Sequence, residues 1–270
     1  MTFMEGIEGA WGKNNSLVCV GLDTDIAKIP ESVRKQRKSI LAFNQAIVDA
    51  TADLVCAYKP QIAYYAAAGA EDELRETIDY VHEAYPGIPV ILDAKRGDIG
   101  ATAEMYVKEV FERYNADAVT VNPYLGGDTL KPYLERKEKG VIILCRTSNP
   151  GARDIQDLEV DGKKLYQIVA EKAATEWNEN GNVLLVVGAT YPKELREIRA
   201  ICGTMPLLVP GIGVQGGDIE QAVVNGKDTN GAGMIINSSR GIIYAGQGVD
   251  FAEAARRATI QLRDEINRYR

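Results

Sequence analysis

The stretch IPVILDAKRGDIGATAEMY, residues 88–106, reads as a strand that delivers charge to a site and then turns into a helix. Ile88 to Leu92 form a short apolar run, and helix formers begin near Ala101. Asp93 and Lys95 stand two apart, so on a regular strand their side chains share one face. Asp98 follows where the chain must turn, which crowds three charges of alternating sign together. In isolation these residues would read as a surface ion pair with Asp98 as a helix N-cap. What surrounds them favours a site instead.

Outward from that stretch, the same unit of apolar run and helical pattern recurs eight times. The runs predict strands at 17–21, 54–59, 89–93, 118–122, 141–145, 183–187, 207–210 and 233–237. Helices are expected around 33–51, 70–85, 101–114, 128–138, 161–179, 192–201, 216–225 and 250–268. Near-continuous Val, Ile and Leu runs imply a parallel sheet covered by helices. Eight such units predict an α/β fold, a (β/α)8 TIM barrel forming a single domain over residues 1–270 with a short N-terminal helical extension. A doubly wound open sheet is the alternative, but no GxGxxG opens a helix after the first strand.

Composition narrows the function. The 270 residues are 46% hydrophobic and 26% charged, an ordinary globular balance. A net charge of −7 gives no footprint for nucleic acid or an anionic membrane, so an anionic ligand needs local donors. The first residues carry Glu5 and Glu8, and no apolar run approaches the roughly 20 residues of a membrane span. A cytoplasmic protein is expected. Cys19, Cys56, Cys145 and Cys202 are far apart, with no CxxC pair, and read as buried reduced thiols. His82, the single histidine, falls in an amphipathic helical segment, so neither a structural zinc site nor a histidine-assisted nucleophile is expected.

In a barrel, active-site residues lie at the C-terminal ends of the strands. Those ends carry Asp23, Lys59, Asp93 with Lys95, and Asn122; then come CRTSNPGARD, GATYP, PGIGVQGGD and NSSRGIIYAG. Gly211, Gly213, Gly216 and Gly217 would let backbone amides approach an anion, Gln215 adds a neutral donor, and Arg240 can clamp a phosphate. The segment 153–162, rich in Asp, reads equally as a lid or a solvated loop.

DxKxxDI with a following Thr, LVPGIGVQGG and NSSRGIIYA together resemble orotidine 5'-phosphate decarboxylase, over nearly the whole chain. The length, NPYLGGD and the long loop after strand 5 resemble the longer prokaryotic subgroup. The resemblance implies conversion of orotidine 5'-monophosphate to uridine 5'-monophosphate and carbon dioxide, the last step of de novo pyrimidine synthesis, without cofactor or metal. It maps an alternating array onto Lys59, Asp93, Lys95 and Asp98, with Lys95 protonating C6 and Asp93 near the substrate carboxylate. By the same resemblance Asp98 and Thr102 reach into the partner's site across a homodimer interface, and Asp23 and Lys59 hold ribose hydroxyls. Ser148 meets the pyrimidine, Gln215 and Arg240 bind phosphate in a cradle that includes Gly211 and Gly216, and Pro150 and Gly151 shape a lid. Gly100, where many members have proline, and NPYLGGD, in place of a histidine-bearing loop, depart from the commoner pattern.

The residues alone also admit a magnesium-dependent sugar-phosphate enzyme of the same superfamily, a class I aldolase using Lys95, and a noncatalytic nucleotide-phosphate binding protein. Pure binding gains nothing from an aspartate facing an anionic ligand, which disfavours the last.

Overall fold

The computed structural model describes residues 1–212 and 218–270. Eight parallel strands form the core: β1 (Val18–Leu22), β2 (Ala57–Pro60), β3 (Ile91–Arg96), β4 (Ala118–Val121), β5 (Gly140–Arg146), β6 (Val183–Val187), β7 (Leu207–Pro210) and β8 (Met234–Ser238). Each pairs with its neighbour in sequence, and β1 also pairs with β8 through Val18 and Ile236. Bridges from Tyr58 to Val90 and from Gln61 to Asp93 close β2 onto β3. The result is the expected barrel. β1 and β6 are buried along their whole length, as strands with helices outside and side chains inside must be.

Helix Phe3–Lys13 lies at the N-terminal mouth. Thr2 and Glu5 form a capping box at its start, and the Phe3 amide donates to the Glu138 carbonyl at 2.8 Å. The Phe3 ring lies against Gly140 and Ala118, where β5 and β4 begin, so a side chain at Gly140 would collide with it. With one end of the barrel covered in this way, ligand access falls to the opposite end, where the strands terminate.

The helices match their expected positions with local differences. The segment expected as one helix over 33–51 divides into Glu31–Arg34 and Ser39–Thr51 at the charged run Lys35-Gln36-Arg37-Lys38. Helix Gly100–Lys108 continues as a π turn, Glu109–Arg113, and Glu109 at its start receives Arg96 from β3 through two bonds of 2.8 and 2.9 Å. Helix Ile62–Ala68 and a small hairpin pairing Glu159–Val160 with Lys163–Lys164 carry no strong periodicity. Among the described residues no helix is long and apolar enough to cross a membrane. All four cysteines are buried and free, and His82 bonds Asp117 at 2.8 Å, a carboxylate that also accepts the Val90 amide.

Candidate active site

At the C-terminal end of the barrel a cavity of about 430 Å³ is lined by residues from all eight strands or the segments that follow them, β6 contributing Val186. Asp23 follows β1, Lys59 comes from β2, Asp93 and Lys95 from β3, and Thr120 from β4. Thr147 and Ser148 follow β5, Gly211 follows β7, and Asn237, Ser239 and Arg240 border β8. This volume falls within the range of small-ligand sites.

Charge organises its floor. Asp93, 8% exposed, accepts from Lys59 at 2.9 Å through Oδ2 and from Lys95 at 2.7 Å through Oδ1. Asp23 stands 3.9 Å from the Lys59 ammonium. Burial alone would push the Asp93 carboxyl up, but the two ammonium groups outweigh it and hold it well below the usual carboxylate range. Burial likewise works against the Lys59 cation, and Asp93 and Asp23 reverse that, raising it above an ordinary lysine. Asp93 and Lys59 therefore hold each other in their charged forms through the physiological range.

Asp93 and Lys95 share a site as their spacing of two suggests, but a kinked strand rather than regular alternation makes the contact. The β3–β4 register shifts between Leu92 and Arg96, and Lys95 adopts φ 47°, a left-handed conformation rare for a residue with a side chain. Thr120 holds this kink, accepting the Ala94 and Lys95 amides at 3.0 Å each and donating to Asp93 Oδ1 at 2.8 Å. Asp98 does not join the cluster: its carboxylate accepts the Ile99 amide at 2.8 Å, and among the described residues it forms no ion pair. Ile99, not Asp98, occupies the N-cap position of the following helix. Neither Asp98 nor Thr102 lines the cavity.

The upper wall holds groups in want of a partner. Asp23 Oδ1, Asn237 Oδ1 and Ser239 Oγ are buried and lack a hydrogen bond among the described residues, which suits them to ligand hydroxyls. Gly21 makes room for Ser239, because a Cβ there would sit 2.7 Å from the serine Cβ. Arg240 is exposed at the rim. Gln215 and Gly216 lie outside the described residues, as do Gly213 and Gly217. Pro150 opens the short turn Pro150–Ala152 beyond the lining, while Asn122 faces a neighbouring cavity.

The 153–162 segment is anchored to the barrel at Gln156 and Asp157, while the residues on either side of that pair are exposed. Arg146, fully buried at the end of β5, stacks 4.5 Å over Tyr191, lies 3.3 Å from Asp157 and donates to Gln156. Gln156 accepts the Thr147 amide and donates to its hydroxyl, at 2.9 Å each, fixing the residue before Ser148. Gly188, after β6, lies against Ser148 so closely that a Cβ would come within 2.9 Å of the serine Cβ. The sequence flagged Asn237 and Ser239 only as members of NSSRG and Arg146 only as a member of CRTSNPGARD, and it passed over Thr120; what each of these side chains faces needed the fold. Among the described residues no three His, Cys, Asp or Glu side chains converge as a metal site would.

This arrangement has counterparts in known proteins. Residues 16–257 match the model of the Orotidine 5'-phosphate decarboxylase / HUMPS family. Proteins named orotidine 5'-phosphate decarboxylase from Ralstonia nicotianae and Dechloromonas aromatica are 61% and 60% identical to this chain over 270 residues, covering both partners completely. The solved structure of Leishmania donovani OMP decarboxylase superposes with a TM-score of 0.85 at 38% identity, covering 100% of this chain and 98% of that one. A barrel with a Lys-Asp-Lys floor, matched along its full length by such relatives, belongs to the orotidine 5'-phosphate decarboxylase / HUMPS family.

Proposed function

We propose that this chain decarboxylates orotidine 5'-monophosphate to uridine 5'-monophosphate, the last step of de novo pyrimidine synthesis, with Lys95 as the proton donor. The observation that carries the reading is the ionised Asp93 held between Lys59 and Lys95 at the floor of the cavity. The bond from C6 to the carboxylate breaks, carbon dioxide leaves, and the electron pair stays on C6. Lys95 Nζ transfers a proton to that carbon and regains one from water. A fixed cation beside the developing negative charge needs no reorganisation as the reaction proceeds. The Asp93 charge repels the substrate carboxylate and relaxes as carbon dioxide departs.

Binding follows from the remaining walls. Asp23 and Lys59 take ribose hydroxyls, Ser148 the pyrimidine, and Arg240 with Gln215 the phosphate, beside Gly211 and Gly216. Energy from the phosphate closes the loop after β5, which holds Pro150 and Gly151, and excludes water. No cofactor or metal takes part. A magnesium-dependent sugar-phosphate enzyme would need Asp93 as a ligand, but both its oxygens are already engaged by Lys59, Lys95 and Thr120.

The enzyme works in the cytoplasm as a homodimer in which Asp98 and Thr102 complete the partner's site. In support, the Asp98 carboxylate turns from its own array, and Ile99 and Met105 beside it are 62% and 52% exposed.

The test is the absorbance change of orotidine 5'-monophosphate with chelator-treated protein, beside Lys95→Ala. Conversion by the wild type and its near-total loss in the variant are expected. A folded wild type that converts nothing until magnesium is restored would overturn the reading.

A further inference from the structure

Thr120 sits in β4 at 1% exposure, in the wall of the cavity and beneath Asp93. A hydroxyl carries one proton and two lone pairs. Both lone pairs of Thr120 are taken by groups that can only donate, the amides of Ala94 and Lys95 at 3.0 Å each. Its proton is left with one acceptor, Asp93 Oδ1 at 2.8 Å. The hydroxyl is thereby fixed as a donor toward Asp93, and a proton on that carboxylate oxygen would meet another proton. The same oxygen pins the backbone where β3 slips against β4 and Lys95 takes its left-handed φ of 47°. One side chain therefore controls both the backbone that carries Lys95 and the carboxylate that holds its ammonium.

We propose that Thr120 is a positioning residue for the decarboxylation, its hydroxyl locking the Ala94–Lys95 kink and orienting the ionised Asp93 so that the Lys95 ammonium stands at the reacting carbon. The inference rests on the reading of Lys95 as proton donor. Thr120 acts through Asp93 and Lys95.

Thr120→Val keeps the shape and the strand preference but strips two amides of their acceptor and Asp93 Oδ1 of one of its two donors, leaving it Lys95. Thr120→Ser keeps the hydroxyl. The experiment measures kcat, KM and their pH dependence with orotidine 5'-monophosphate for both variants, the wild type and Lys95→Ala, with thermal melts to establish folding. In Thr120→Val, kcat should fall roughly 100-fold, as expected for a misplaced reacting group. KM should stay within about threefold, because Asp23, Ser148 and Arg240 are untouched. The acid limb of kcat should move to higher pH, because Asp93 has lost a donor to its charged form. Thr120→Ser should retain kcat within about threefold.

A folded Thr120→Val with wild-type kcat, alongside an inactive Lys95→Ala, overturns the inference and leaves the function intact. Equal losses in valine and serine also overturn it, since the missing methyl would then matter in place of the hydroxyl. An active Lys95→Ala removes the proton-donor reading and this inference together. If the valine variant does not fold, Thr120→Ala compared with Thr120→Ser gives the same kcat and KM readout and the same opposing outcomes.

Discussion

Replacing Lys59 with methionine tests the charged floor most directly, because it keeps an unbranched side chain one atom shorter and removes the charge. Lys59 is 3% exposed, bonds Asp93 at 2.9 Å and faces Asp23 at 3.9 Å. Removing one partner of a buried pair costs about 3–5 kcal/mol. Asp93 would still accept from Lys95 and Thr120, which points to the lower end, about 3 kcal/mol. At about 2–4 °C per kcal/mol for a chain of this size, Tm should fall by about 6–12 °C. The pH dependence has a definite sign. The depressed Asp93 carboxyl stabilises the fold above its unfolded value near ~4 and loses that contribution as pH falls toward its folded value. The raised Lys59 stabilises fully below its unfolded value near ~10.4 and loses that contribution only as pH rises through its folded value. The Tm gap between wild type and Lys59→Met should be flat from about pH 5 to 9 and close below about pH 4. Calorimetry across that range measures it. A gap under about 1 kcal/mol, or one that does not change below pH 4, would refute the claim that the Lys59–Asp93 pair stabilises the barrel.

Two further outcomes follow from geometry. Gly188→Ala should raise KM roughly tenfold in steady-state kinetics, because the new Cβ would press on the Ser148 Cα and amide nitrogen, both 3.1 Å away and both backbone. An unchanged KM would separate Ser148 from substrate binding. Mixing inactive Asp98→Ala and Lys95→Ala proteins, with subunit exchange verified by mass, should restore about a quarter of the sites if binomially shuffled dimers share residues. No recovery would rule out the shared site.

Local pattern was enough for the architecture. Runs such as Val183–Val187 and Leu207–Pro210 are strands in the structure at the boundaries the residues suggested, because a buried parallel strand is apolar on both faces and its helix is not. The charges at the strand ends were equally legible, since chain order alone places Asp23, Lys59, Asp93 and Lys95 after their apolar runs. Tertiary structure decided what those charges touch. Strand alternation alone would have set Asp93 and Lys95 side by side, whereas they meet across a register slip that Thr120 holds from the next strand, 27 residues from Asp93. Arg146 falls one residue past the strand expected at 141–145, yet it is fully buried between Tyr191 and Asp157, which only the approach of the loops after β5 and β6 could arrange. A sequence specifies its periodicities residue by residue. A hydroxyl's one proton and two lone pairs acquire a direction only when a second strand lies beside it.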